Sequence, residues 1–120
     1  MRRALAVLAV LVMLWTAAGC SSATLAIVEP TSGAVIKGTR ARIRAELTGG
    51  RIIFETTPRL APDEGHLHLK LDGKLTTMTP NLEELIVVTP GPHVVELEFV
   101  ANDHLPFNPR VISVVAFKVE

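Results

Sequence analysis

The stretch Arg40-Ala41-Arg42-Ile43-Arg44-Ala45-Glu46-Leu47 alternates charge and hydrocarbon without a break. A period of two sets Ala41, Ile43, Ala45 and Leu47 on one face and the charged side chains on the other, as in a half-buried antiparallel strand. Wound as a helix, the same residues would scatter the arginines around the whole circumference. The pattern returns in His93-Val94-Val95-Glu96-Leu97-Glu98-Phe99, with Val95, Leu97 and Phe99 inward and the glutamates outward. It returns again in Leu67-His68-Leu69-Lys70-Leu71, where three leucines share a face. Residues 110–119 are rich in β-branched side chains and read as a final, mostly buried strand.

Turn chemistry separates these runs: Ser32-Gly33, Gly49-Gly50, Asp72-Gly73 and Pro90-Gly91-Pro92. Asp72-Gly73 between two strand-like segments predicts a two-residue hairpin, because a type I′ turn needs positive φ at both central positions. The reading places strands near 24–29, 39–47, 51–55, 65–72, 74–78, 84–89, 93–101 and 110–119, with a turn at Asn81–Glu84 and the longest irregular stretch at Thr56–Glu64. Strands at this spacing predict an all-β, immunoglobulin-like antiparallel sandwich of seven or eight strands over residues 25–120.

The first twenty residues have a different character. Arg2 and Arg3 precede the apolar run Ala4–Trp15, and the small residues Ala17-Ala18-Gly19 follow it. A basic start, a short apolar segment and a small-residue cleavage site make residues 1–19 a secretory signal peptide. Twelve apolar residues fall short of the roughly 20 that a membrane-spanning helix requires. Cys20 comes directly after the small residues and is the chain's single cysteine. This junction resembles the bacterial lipobox, although Ala17 stands where that pattern usually has leucine. The resemblance implies that Cys20 receives a diacylglyceryl group and an N-acyl chain such as palmitate, becomes the mature N-terminus, and continues into a lipidated tether at residues 20–24. The expected location is extracytoplasmic, with the bacterial membrane as a partner through the lipid. Several acyl chains together hold a protein stably where one does not.

Arg2 and Arg3 leave with the signal, so ten of the twelve basic side chains face twelve acidic ones in the mature chain. That balance gives nucleic acid no electrostatic footprint. With no second cysteine there is no internal disulfide, and the core must carry the fold unaided.

All four histidines fall in the mature part: His66, His68, His93 and His104. On a strand, His66 and His68 point to one side with α-carbons about 6.6–6.8 Å apart. That spacing can chelate one ion, and imidazole suits zinc, copper, iron and nickel. The remaining ligands would come from neighbouring segments, where His104, Asp103, His93 and Met78 are the candidates. The metal reading therefore names His66, His68 and His104, with copper or zinc as the ion. The competing reading is a polar strand surface, with His93 bonding backbone at the sandwich edge and Asp103 accepting turn N–H groups. Catalysis has little to build on. The mature serines fall in the tether, in a turn or in a strand, and Glu83-Glu84 and Asp63-Glu64 are sequence neighbours rather than facing pairs. The expectation is a non-catalytic binding or structural domain, with metal binding as its alternative.

Three segments, Gly65-His66-Leu67-His68-Leu69-Lys70-Leu71-Asp72-Gly73, Pro90-Gly91-Pro92-His93 and Asn102-Asp103-His104-Leu105-Pro106, together resemble a group of uncharacterised bacterial envelope proteins with small immunoglobulin-like domains. More distantly, Glu29-Pro30-Thr31-Ser32-Gly33-Ala34-Val35 and Asp103-His104 are similar to segments of the periplasmic CopC-like copper-resistance sandwiches. The copper-binding members of that group use a histidine at the mature N-terminus, the position held here by Cys20.

Overall fold

The computed structural model describes residues 21–53 and 59–120. The expected signal peptide, Cys20 and residues 54–58 lie outside the described residues. The described residues form nine strands: β1 (Thr24–Glu29), β2 (Val35–Ile36), β3 (Arg40–Thr48), β4 (Arg51–Ile52), β5 (Glu64–Leu71), β6 (Lys74–Thr79), β7 (Glu83–Val87), β8 (Gly91–Ala101) and β9 (Pro106–Val119). They make two sheets, one ordered β1-β3-β7, the other β2-β9-β8-β5-β4 with β6 paired to β5. This is the expected antiparallel sandwich with two short parallel additions, β2 on β9 and β4 on β5.

The period-two pattern does the sorting. In β3, Ala41, Ile43 and Ala45 are buried while Arg40, Arg42 and Arg44 are exposed. Across the sandwich they meet Leu67 and Leu69 of β5, Val95, Leu97 and Phe99 of β8, and Phe107, Val111 and Phe117 of β9 in one core. Leu67, Leu69, Val95 and Phe99 are 0% exposed, so each contributes about 1.5–3 kcal/mol relative to a solvated side chain. Phe99 and Phe107 stack with ring centroids 5.2 Å apart.

Three details differ from the sequence reading. β2 was not expected, because two residues carry no periodicity; it exists through pairing of Val35 and Ile36 with Lys118 and Val119. Pro80 and Leu82 are bends and no helical turn forms at 81–84, the connection being fixed by Asn81 N–H donating to Thr79 Oγ1 (2.9 Å) and Asn81 Nδ2 to Glu84 Oε1 (3.2 Å). β9 begins at Pro106 rather than 110, despite Pro109. Proline is tolerated there because the neighbour β2 reaches only Lys118 and Val119, leaving the first part of β9 as a sheet edge.

At the hairpin between β5 and β6, Asp72 and Gly73 take φ of 51° and 80°, as a type I′ turn requires. The opposite pole of the sandwich gathers the start of β5, the end of β8 and the 102–105 loop. Residues 21–23, read from the sequence as tether, are laid against this pole. Ser21 Oγ donates to Asp63 Oδ1 (2.6 Å), Ser22 N–H donates to the same oxygen (2.9 Å), and Ala23 N–H donates to Ser21 Oγ (3.0 Å).

Candidate metal centre

β5 enters its sheet through Gly65, and the choice of glycine is steric. A Cβ built on Gly65 would lie 1.7 Å from the carbonyl oxygen of Val100 in β8. Only a residue without a side chain lets the two backbones approach this closely. The approach sets His66 opposite Val100 and His68 opposite Glu98, one step below the loop that follows β8. With Leu67 and Leu69 directed into the core, both histidines stand on the outer face.

The 102–105 loop folds back over that face. Ala101 N–H donates to Leu105 O (3.0 Å) and His104 N–H to Ala101 O (2.9 Å), closing a tight hairpin. Asp103 Oδ1 accepts from Leu105 N–H (3.1 Å), so Asp103 serves the turn. His104 takes φ of 66°, in the left-handed region that strongly favours glycine. The imidazole is thereby delivered to β5. His66 Nε2 lies 3.1 Å from His68 Nε2 and 3.0 Å from His104 Nδ1, and His104 Nδ1 lies 3.4 Å from His68 Nε2.

Three ring nitrogens in a triangle cannot satisfy one another. A neutral imidazole has one N–H and one lone pair, so a proton on any of these atoms serves one neighbour and leaves the third lone pair facing another. A cation at the convergence point satisfies all three. The triangle has a circumscribed radius of about 1.8 Å, so an ion 2.0–2.1 Å from each nitrogen stands about 0.9 Å above their plane, with N–ion–N angles of about 90–115°. That is three corners of a tetrahedron with the fourth left open.

The electrostatics agree with this use. Burial, then the neighbouring His68 and His104, push the His66 imidazolium below its ordinary range. Burial and His104 do the same for His68, with Lys70 adding to the effect and the Glu98 carboxylate opposing it. Both rings are thus biased toward the neutral, metal-ligating form at neutral pH. Glu98 faces outward as expected yet is buried, gripped by Arg110 through Nε–Oε2 (2.5 Å) and Nη2–Oε1 (3.0 Å). With both oxygens held, it contributes charge beside His68 rather than a lone pair to the site.

Of the other candidates, His93 lies at the far pole. Its Nδ1 donates to Asp72 Oδ2 (2.7 Å) and its Nε2 to Thr89 O (2.6 Å), so the bond to backbone expected from the sequence is present, joined by one to the hairpin carboxylate. Met78 pairs in register with His68 from β6 and is exposed. The roles of Gly65 and Glu98 were missed from the sequence. The signal for the first was its place before His-x-His; for the second it was Arg110, which lies on the same outward phase of β9 as Ile112, the register partner of Glu98.

No family model and no curated protein matches the sequence. Among solved structures, the chain is similar to one reported under "Structures of Clostridium thermocellum CbhA fibronectin(III)-like modules", with a TM-score of 0.56 at 15% identity, covering 81% of this chain and 96% of that one. At that identity the likeness establishes the fibronectin III-like sandwich fold.

Proposed function

We propose that the protein is a lipid-anchored, extracytoplasmic metal-binding module, in which His66, His68 and His104 hold one transition-metal ion on the outer face of the sandwich. The convergence of three imidazole nitrogens within 3.0–3.4 Å carries this reading. Nothing in the fold demands it, since the core is made by other residues and His104 occupies a backbone conformation that glycine fills at lower cost. The module is read as a binder rather than an enzyme. The hydroxyls of Ser21 and Ser113 are engaged structurally, with Asp63, Ala23 and Ile27.

Attachment rests on the signal-like residues 1–19 and on Cys20. Cys20→Ser should release the protein from membranes or leave an unprocessed precursor, since only the thiol accepts the lipid. Equal membrane retention with normal cleavage would contradict it. The binding half is tested separately by titrating metal into a Cys20→Ser chain, in which the free thiol cannot act as a ligand, with and without His66→Ala/His68→Ala.

A further inference from the structure

We propose that the fourth corner of the site is the Met78 thioether, and that the site is therefore built for monovalent copper in preference to zinc. This rests on the metal reading above and adds the identity of the ion.

Among the described residues, the other candidate donors of the sequence have partners of their own. Asp103 accepts the Leu105 N–H, Glu98 is held through both oxygens by Arg110, and His93 is bonded at the far pole. Met78 is different. It is the direct cross-strand partner of His68, on the side of β5 away from β8 and the 102–105 loop, and it is 53% exposed on an edge strand. Residues directly opposite on an antiparallel pair share a face, with Cβ atoms about 4.5–5.5 Å apart. Three rotatable bonds allow the sulfur to swing over the triad.

The chemistry of this donor set discriminates between ions. Thioether sulfur is a soft ligand that selects Cu(I), whereas zinc takes nitrogen, carboxylate oxygen and thiolate. Charge points the same way. All four donors are neutral, and among the described residues nearby the carboxylates of Glu98 and Glu96 are balanced by Arg110 and Lys70. Neutral imidazole and thioether donors with no anionic ligand among them suit a monovalent ion, and the soft sulfur sets the preference.

The test uses the full chain carrying Cys20→Ser, with and without Met78→Leu, a swap that conserves volume and hydrophobicity. Cu(I) affinity is read by competition with a chromophoric Cu(I) chelator, Zn(II) affinity by titration, and the coordination sphere by X-ray absorption at the copper edge. The expected result is a loss of Cu(I) affinity of about tenfold or more in Met78→Leu, with zinc affinity within about twofold of the parent and a copper–sulfur contribution that vanishes in the variant. Unchanged Cu(I) affinity, or no sulfur around copper in the parent, overturns the role of Met78 while leaving a three-histidine site standing. A parent chain that binds neither ion overturns the metal reading and this inference with it.

Discussion

The two poles of the sandwich use the same side chain in opposite ways. At the hairpin pole, His93 is buried and both ring nitrogens meet acceptors, a carboxylate and a carbonyl, which favours the doubly protonated ring. At the other pole, His66, His68 and His104 turn their nitrogens toward one another with no carboxylate or carbonyl between them. What separates a structural histidine from a ligand is whether its lone pair is already spent. His93 has none to offer, while the triad has more than it can use internally.

The sharpest way to break this contrast is to remove ligands. His66→Ala/His68→Ala should weaken metal binding by about 100-fold or more, because one imidazole cannot hold the ion that three share. The circular dichroism of the fold should be unchanged, since neither ring enters the core. An affinity that survived the double change would place the metal elsewhere.

Next in size is the glycine that sets the spacing. Gly65→Ala forces a methyl group onto the Val100 carbonyl and should destabilise the domain by about 1–3 kcal/mol or more, with metal affinity falling in parallel as β5 moves from the 102–105 loop. Denaturant midpoints and metal titration on the same sample check both effects. Full stability in this variant would mean that the close approach is not needed.

His93→Ala should do the converse of the ligand changes. It leaves the Thr89 carbonyl and Asp72 Oδ2 without the His93 donors, while Asp72 Oδ1 keeps the Val94 N–H, and should cost about 1–3 kcal/mol, with metal affinity intact. The pH dependence sharpens this further. The bond to Asp72, then that to Thr89, raises the His93 pKa above its ordinary 6.5, so its stabilising contribution is complete below that value and is lost as pH rises through the folded value. His66 and His68 are shifted downward, so their contribution is complete above 6.5 and is lost as pH falls through their folded values. In metal-free protein, His93→Ala should flatten the alkaline side of the stability profile and His66→Ala/His68→Ala the acid side. Exchanged effects would contradict the assignment.

The smallest stability effect is the most diagnostic. His104→Gly removes a ligand but also relieves a left-handed backbone that costs a non-glycine residue about 1–2 kcal/mol, partly offset by about 0.5–1 kcal/mol of glycine entropy. The variant should be no less stable than the parent and bind metal far more weakly. A marked loss of stability would show His104 to be structural.

Much of this was legible in the sequence, and the boundary is physical. Alternation in 40–47, 67–71 and 93–99 gave strands whose inward faces are the core, since period two maps directly onto burial. It also set His66 and His68 on one face. It could not show that Ser21 would be buried beside Asp63, or that Val35–Ile36 would pair with the end of β9, because such contacts depend on where distant segments arrive. His104 was a candidate by residue type, but its approach to β5 depends on a four-residue loop, a left-handed φ and a glycine 39 positions earlier. No local pattern encodes that combination.

The central claim is that three imidazoles share one ion. It is tested most directly by a crystal structure of the Cys20→Ser protein grown with zinc, with anomalous scattering measured on either side of the zinc edge. The account predicts one anomalous peak about 2.0–2.1 Å from His66 Nε2, His68 Nε2 and His104 Nδ1. A zinc peak elsewhere on the protein, or ordered water between the three rings at saturating zinc, would contradict it.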